Sequence, residues 1–162
     1  MVYRVGGTAA ERIPGGAPSG VRVVWDAAGQ RVRAEPIGQG TYAIADLGRH
    51  VTDIVFAAQV SYLELPMRVG DPQTLLAGAH VTFTRRGTER LLGLECTNWA
   101  IHAEKVYGVG CVTPDGIVLR ASGTFDGQSG NLTAMSVDLT PQPDESFRPP
   151  KGFFRLAFGN KH

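Results

Sequence analysis

The side chains best suited to chemistry are few and far apart: His50, His80 and His102, the carboxylates Asp46 and Asp53, and the cysteines Cys96 and Cys111. A catalytic or metal cluster needs the three histidines to converge. Each sits in or beside a different strand-like run, and nothing in their spacing brings them together. They read as solvated or hydrogen-bonded structural histidines. Asp46 and Asp53 flank one predicted hairpin; the expectation is that they cap its turn and face water rather than act as a carboxylate pair. "GQG" (38–40) and "GVG" (108–110) are not phosphate loops, because neither leads from a strand into a helix. "HAE" (His102–Glu104) has the H-x-E form of zinc deaminases but lacks the P-C-x-x-C partner. No Ser-His-Asp or Cys-His arrangement can be assembled. The chain is therefore expected not to be an enzyme, with no cofactor and no metal.

Cys96 and Cys111 are the only cysteines. Read as a hairpin, "RLLGLECTNWAIHA" and "KVYGVGCVT" turn at Ala103–Glu104, which sets Cys96 directly opposite Cys111 and Trp99 over Gly108. Facing residues in a non-hydrogen-bonded pair come close to the Cβ separation that a disulfide needs. Ala-Glu is poor chemistry for a two-residue turn, and a four-residue loop His102–Lys105 keeps the same register. The alternatives are two buried free thiols and, with still less support, a metal site, because the pair lacks CxxC spacing. A disulfide implies an oxidising compartment.

These residues must be positioned by strands. The chain has 162 residues, 43% hydrophobic and 19% charged, which suits one globular domain with a real core. Its formal net charge of +1 gives no electrostatic case for nucleic acid or an anionic membrane as the main partner. No apolar run reaches the length of a spanning helix, and "MVYRVGGTAAERIPGG" has no apolar h-region of a signal peptide. The 21 glycines and 10 prolines punctuate short apolar runs, as turns between strands do. Strand-like runs include "VRVVW" (21–25), "RVRAE" (31–35), "TYAIADL" (41–47), "HVTDIVFAA" (50–58) and "VSYLEL" (60–65), and they continue in the second half from "HVTFTRR" (80–86) to "LTAMSVDLTP" (132–141). Strands this close in sequence must pair antiparallel. "DPQTLLAG" (71–78) reads as one short helix with Asp71 as N-cap, and "PDESF" (143–147) as a single helical turn. "TPDGI" (113–117) reads as a turn with Gly116 at positive φ. The expected fold is mainly β, one domain over residues 1–162. It is a curved antiparallel sheet of about eight to eleven strands with one or two short helices, and residues 1–20 form an N-terminal strand and a Gly/Pro-rich loop. A closed lipocalin-like barrel or a two-sheet sandwich is the alternative.

The stretch "RRGTERLLGLECTNWAIHAEKVYGVGCVTPDGIVLR" (85–120) resembles the central hairpins of LolA/LolB-like bacterial envelope proteins, which often carry a cysteine pair in these strands. "WDAAGQRVRAEPIGQGTYAIADLGRHVTDIVFAAQVSYLELP" (25–66) resembles their earlier strands, and "FRPPKGFFRL" (147–156) their closing segment. The resemblance implies a strongly curved, unclosed β-barrel with short helices as a lid over an apolar concave face. It also implies a periplasmic protein whose signal peptide has been removed. Characterised members carry lipoproteins or other hydrophobic ligands, or bind envelope proteins. The long amphipathic helix that opens the carriers is replaced here by "VYRVGG", which counts against lipoprotein shuttling.

Candidate inward-facing apolar residues for such a ligand are Trp25, Tyr42, Ile44, Phe56, Leu63, Phe83, Val109, Leu119, Met135 and Phe154. They line a cavity or simply fill a core. The functional expectation is a soluble periplasmic protein that binds a lipid or other hydrophobic molecule. The alternative is an envelope module that binds a protein partner through a sheet edge or an apolar mouth.

Overall fold

The computed structural model describes residues 1–7, 20–26, 28, 30–67, 81–103 and 105–157. Within them the chain builds one 12-stranded sheet, curved and not closed into a barrel. The strands are β1 (Val2–Gly6), β2 (Val21–Asp26), β3 (Arg31–Pro36), β4 (Thr41–Asp46), β5 (Val51–Phe56) and β6 (Ser61–Pro66). They continue with β7 (Thr82–Leu91), β8 (Leu94–Ala103), β9 (Val106–Val112), β10 (Val118–Phe125), β11 (Gln128–Ser136) and β12 (Phe154–Leu156). Their order across the sheet is β12-β6-β5-β4-β3-β2-β1-β11-β10-β9-β8-β7. Two meanders, β2–β6 and β7–β11, are thus joined side by side through β1. That strand pairs antiparallel with β2 on one edge and with β11 on the other.

The short connections dictate this. Leu92–Gly93 and Asp126–Gly127 each supply two consecutive residues at positive φ, the backbone of the two-residue hairpin turn whose twist matches that of its strands. Gly116 takes φ +84° in the 113–117 turn, and its N–H donates to the Thr113 carbonyl at 2.9 Å. Two expectations are corrected. The strands number twelve rather than eight to eleven, because β1 and the closing β12 both join the sheet. One pair is parallel: β12 lies beside β6, which a chain returning from β11 can do without a tight turn. Among the described residues the only helical elements are 3₁₀ turns at Ala57–Gln59 and Asp144–Phe147. The expected helix at 71–78 lies outside the described residues.

A single-layer sheet must cover its apolar face somehow, and the chain does so in two places. Tyr42, Ile44 and Val55 are buried beneath Phe147, with Val24, Tyr62 and Phe153 packed around them. The cover is the C-terminal segment that holds the 3₁₀ turn. The second core gathers Tyr3, Cys96, Cys111, Leu119 and Ala134. The Tyr3 hydroxyl donates to the Val118 carbonyl at 2.7 Å, tying β1 to the start of β10.

The cysteines form a disulfide with Cα atoms 5.4 Å apart. The register that carries it differs from the one expected. Ala103 pairs with Val106, so the pairing is displaced by one residue at the turn. Cys111 pairs with Asn98, and Trp99 faces Gly110, not Gly108. The bond therefore joins diagonal neighbours, and it does so where the β8–β9 ladder ends at Thr97 and Val112. The two-residue offset keeps both side chains on one face, because strand side chains alternate with period two.

Candidate functional site: a glycine-floored apolar cleft

On one face of β8–β11, cross-strand neighbours fall into two rows. One runs Ile101, Gly108, Gly123, Gly130. The next runs Trp99, Gly110, Ala121, Leu132, Val5. Directly paired residues share a face, so three neighbouring strands present bare backbone where side chains would otherwise stand. The result is a cleft of about 520 Å³, with Val5, Ile101, Val106 and Leu132 among its walls, and Gln128 as a polar group on its border. The glycines differ in what they do. A Cβ on Gly123 would meet the Tyr107 carbonyl oxygen at 2.4 Å, and one on Gly108 the Ser122 carbonyl at 3.0 Å, so these two permit the close approach of β9 and β10. A Cβ on Gly130 would meet nothing within 4 Å. That glycine leaves room in the cleft itself.

The lining holds no carboxylate, imidazole, amine or thiol. The lining does include the Tyr107 phenol and the Ser122 and Thr124 hydroxyls. Volumes of this order, apolar with a few polar groups at the border, are those of small-molecule sites.

A second cavity, of about 420 Å³, lies over β4–β6 beneath the C-terminal cover and is charged. Asp53 stands in its floor, only 7% exposed. This corrects the expectation that Asp53 faces water. Asp46 does cap the turn, accepting from the Arg49 N–H at 2.9 Å. Asp53 instead points to the face of Ile44 and Glu64, its partners on either side in the sheet. Burial pushes its carboxyl above the usual range, and the charge of Glu64 adds to the rise.

The apolar candidates are scattered by the structure. Tyr42 and Ile44 are closed into the core under Phe147, and Leu119 into the core beside the disulfide. Trp25, Phe83, Met135 and Phe154 are exposed. Phe56 and Leu63 are half-buried on β5 and β6. Of the ten, only Val109 borders the cleft, and Ile44 and Trp25 border other cavities. His50 takes φ 56° in the β4–β5 turn, and His102 stands edge-on to Tyr107 on β8; they do not meet, and His80 lies outside the described residues. Among the described residues the one grouping close enough to hold a metal is Glu89, Cys96 and Cys111. Its sulfurs are consumed by the disulfide, and Glu89 pairs with Arg120. The cleft had a signal in the sequence: glycines at alternate positions, "YGVGC" on β9, with single glycines in "ASGTF" and "QSGNL" opposite. These are strand interiors, not the turn punctuation that glycine abundance suggests.

No family model matches the chain, and no curated protein matches it as a relative. Among solved structures it resembles an uncharacterised conserved protein from Thermus thermophilus, with a TM-score of 0.60 at 12% identity, over 96% of this chain and 90% of that one. It also resembles PNGF-II, with a TM-score of 0.56 at 12% identity, over 92% of this chain but 30% of the length of PNGF-II. A looser likeness is to MucB, with a TM-score of 0.49 at 14% identity, over 93% of this chain and 56% of that one. The likeness is one of fold.

Proposed function

We propose that the protein binds a hydrophobic ligand, such as an acyl chain, in the glycine-floored cleft, and that it works as an exported binding protein rather than an enzyme. The observation that carries this reading is the cleft: an apolar trough of about 520 Å³ left open by Gly108, Gly123 and Gly130 on three adjacent strands. At Gly130, where a Cβ would meet nothing within 4 Å, a β-branched side chain is what a strand without such a role would carry. Burial of apolar surface, at about 25 cal/mol per Å², supplies the affinity. The Cys96–Cys111 bond supports export to an oxidising compartment, the periplasm on the LolA/LolB-like resemblance. No helix among the described residues is long and apolar enough to cross a membrane.

The alternative, a partner protein adding a strand to an edge, is disfavoured at β7. That outer strand is long, but it carries Arg85, Arg86, Glu89 and Arg90, the charges that protect edges from pairing. The test is a titration with diphenylhexatriene, an uncharged probe that fluoresces out of water, on the wild type and on Gly130→Trp. The indole occupies the cleft without a backbone clash at Cβ. Saturable binding to the wild type, weakened at least about tenfold in the variant, a loss of about 1.4 kcal/mol or more, is expected. Equal binding to both would refute the cleft as the site.

A further inference from the structure

The charged cavity over β4–β6 has its own demand, distinct from the apolar cleft. Its four arginines are all committed to carboxylates. Arg31 pairs with Asp26 and Asp144, and Arg148 with Asp144. Arg49 and Arg155 both pair with Glu64, at 3.3 and 2.6 Å. Of the three carboxylates in the lining, Asp46 and Asp53 form no ion pair with these arginines. Asp53 is the deeper of the two. Among the described residues Asp53 has no ion-pair partner, and its Oδ1 is buried with no hydrogen-bond donor. An unmet buried acceptor is destabilising, and more so when charged.

We propose that this cavity binds a small ligand bearing a primary ammonium group, which donates to Asp53 Oδ1 and pairs with its carboxylate. Four observations select that chemistry. An anion has no free guanidinium to meet. A neutral hydroxyl would satisfy the oxygen but not the charge. A guanidinium fork prefers two free carboxylate oxygens, and one is orphaned here. A metal ion needs several ligand atoms in convergence, and among the described residues no three carboxylates of this cavity bring theirs within 4.8 Å of one another. Tyr62 and Phe147 complete the wall against which the carbon part of the amine would lie. The face of Phe147 is taken by the Arg31 guanidinium, 5.0 Å from the ring centroid, so contact there is with the ring edge.

The test is a nuclear magnetic resonance titration of the full chain with ethylammonium chloride, against sodium chloride and sodium acetate at matched ionic strength. Saturable shifts of the amides of 52–54 and 62–64 with ethylammonium alone are expected. They should weaken by about tenfold or more in Asp53→Asn, as loss of one charge-assisted hydrogen bond predicts. The same weakening should follow in the wild type as the pH falls and Asp53 gains a proton, an arm that does not depend on the variant folding. The titratable and charged groups that face Asp53 across the cavity are Asp46, Glu64, Arg31, Arg49, Arg148 and Arg155. Glu95→Gln, at an exposed carboxylate on β8 outside this cavity, should retain binding. Shifts of equal size with sodium chloride, or undiminished ethylammonium binding in Asp53→Asn, would overturn the assignment.

Discussion

The two meanders solve the same problem in opposite ways. Each is half of one sheet, and each has an apolar face that water must not reach. The β2–β6 half is covered by its own chain: Phe147 is brought over Tyr42, Ile44 and Val55, and Arg31 lies across the Phe147 ring. The β7–β11 half closes one end with the disulfide core and leaves the other as bare glycine backbone. A sheet face that the protein fills is structural; one from which side chains have been withdrawn is available. Residue size on a strand face therefore reads as a functional signal here, whereas hydrophobicity alone does not, since both halves are apolar.

Breaking the covered half should have the largest effect. Phe147→Ala removes the buried ring and should cost about 3–5 kcal/mol, read as the urea midpoint; a loss below about 1 kcal/mol would mean that the C-terminal segment does not hold the sheet. The disulfide comes next. Its 15-residue separation predicts a loss of about 3 kcal/mol on reduction, and unchanged melting under reductant would contradict this. The two kinds of glycine sharpen the contrast further. Gly123→Val drives its Cβ into the Tyr107 carbonyl and should cost about 1–3 kcal/mol, as overpacking does. Gly130→Val meets open space and should be neutral or gain up to about 1 kcal/mol from strand propensity. Equal losses would erase the distinction between packing and ligand glycines.

The smallest effect is at Asp53. Its carboxyl is raised in the fold by burial and by Glu64, so the native state holds its proton more tightly than the unfolded chain does. Its contribution to stability is fully present below the ordinary value of 3.8 and is lost as pH rises through the raised folded value. Asp53→Asn should therefore gain stability relative to the wild type as pH rises. A difference in melting temperature that is flat with pH would show that Asp53 is not strained.

Much of the fold is legible in the sequence because strand period and turn chemistry are local. "TYAIAD" places Tyr42 and Ile44 on one buried face, and the 113–117 turn falls where Pro114 and Gly116 put it. The cysteine pairing is legible too, because any even offset keeps both residues on one face; the register itself slipped by one position, since nothing in "HAEK" is strong two-residue turn chemistry. The cleft was not legible from large side chains. Trp25, Phe83 and Phe154 are apolar yet exposed, and the actual floor is made of residues with no side chain. Asp53 escaped for a different reason. Its burial depends on a cover that arrives from Phe147, 94 positions later in the chain, and no local pattern encodes that contact.

The central claim, that the glycine-floored cleft holds a hydrophobic ligand, is tested most directly by native mass spectrometry of the protein purified without detergent, followed by organic extraction. The expected result is a bound mass that is released by the solvent, identifies as an acyl-chain compound, and is absent from Gly130→Trp prepared in the same way. A bare polypeptide mass with nothing extractable, or the same adduct on both proteins, would contradict it.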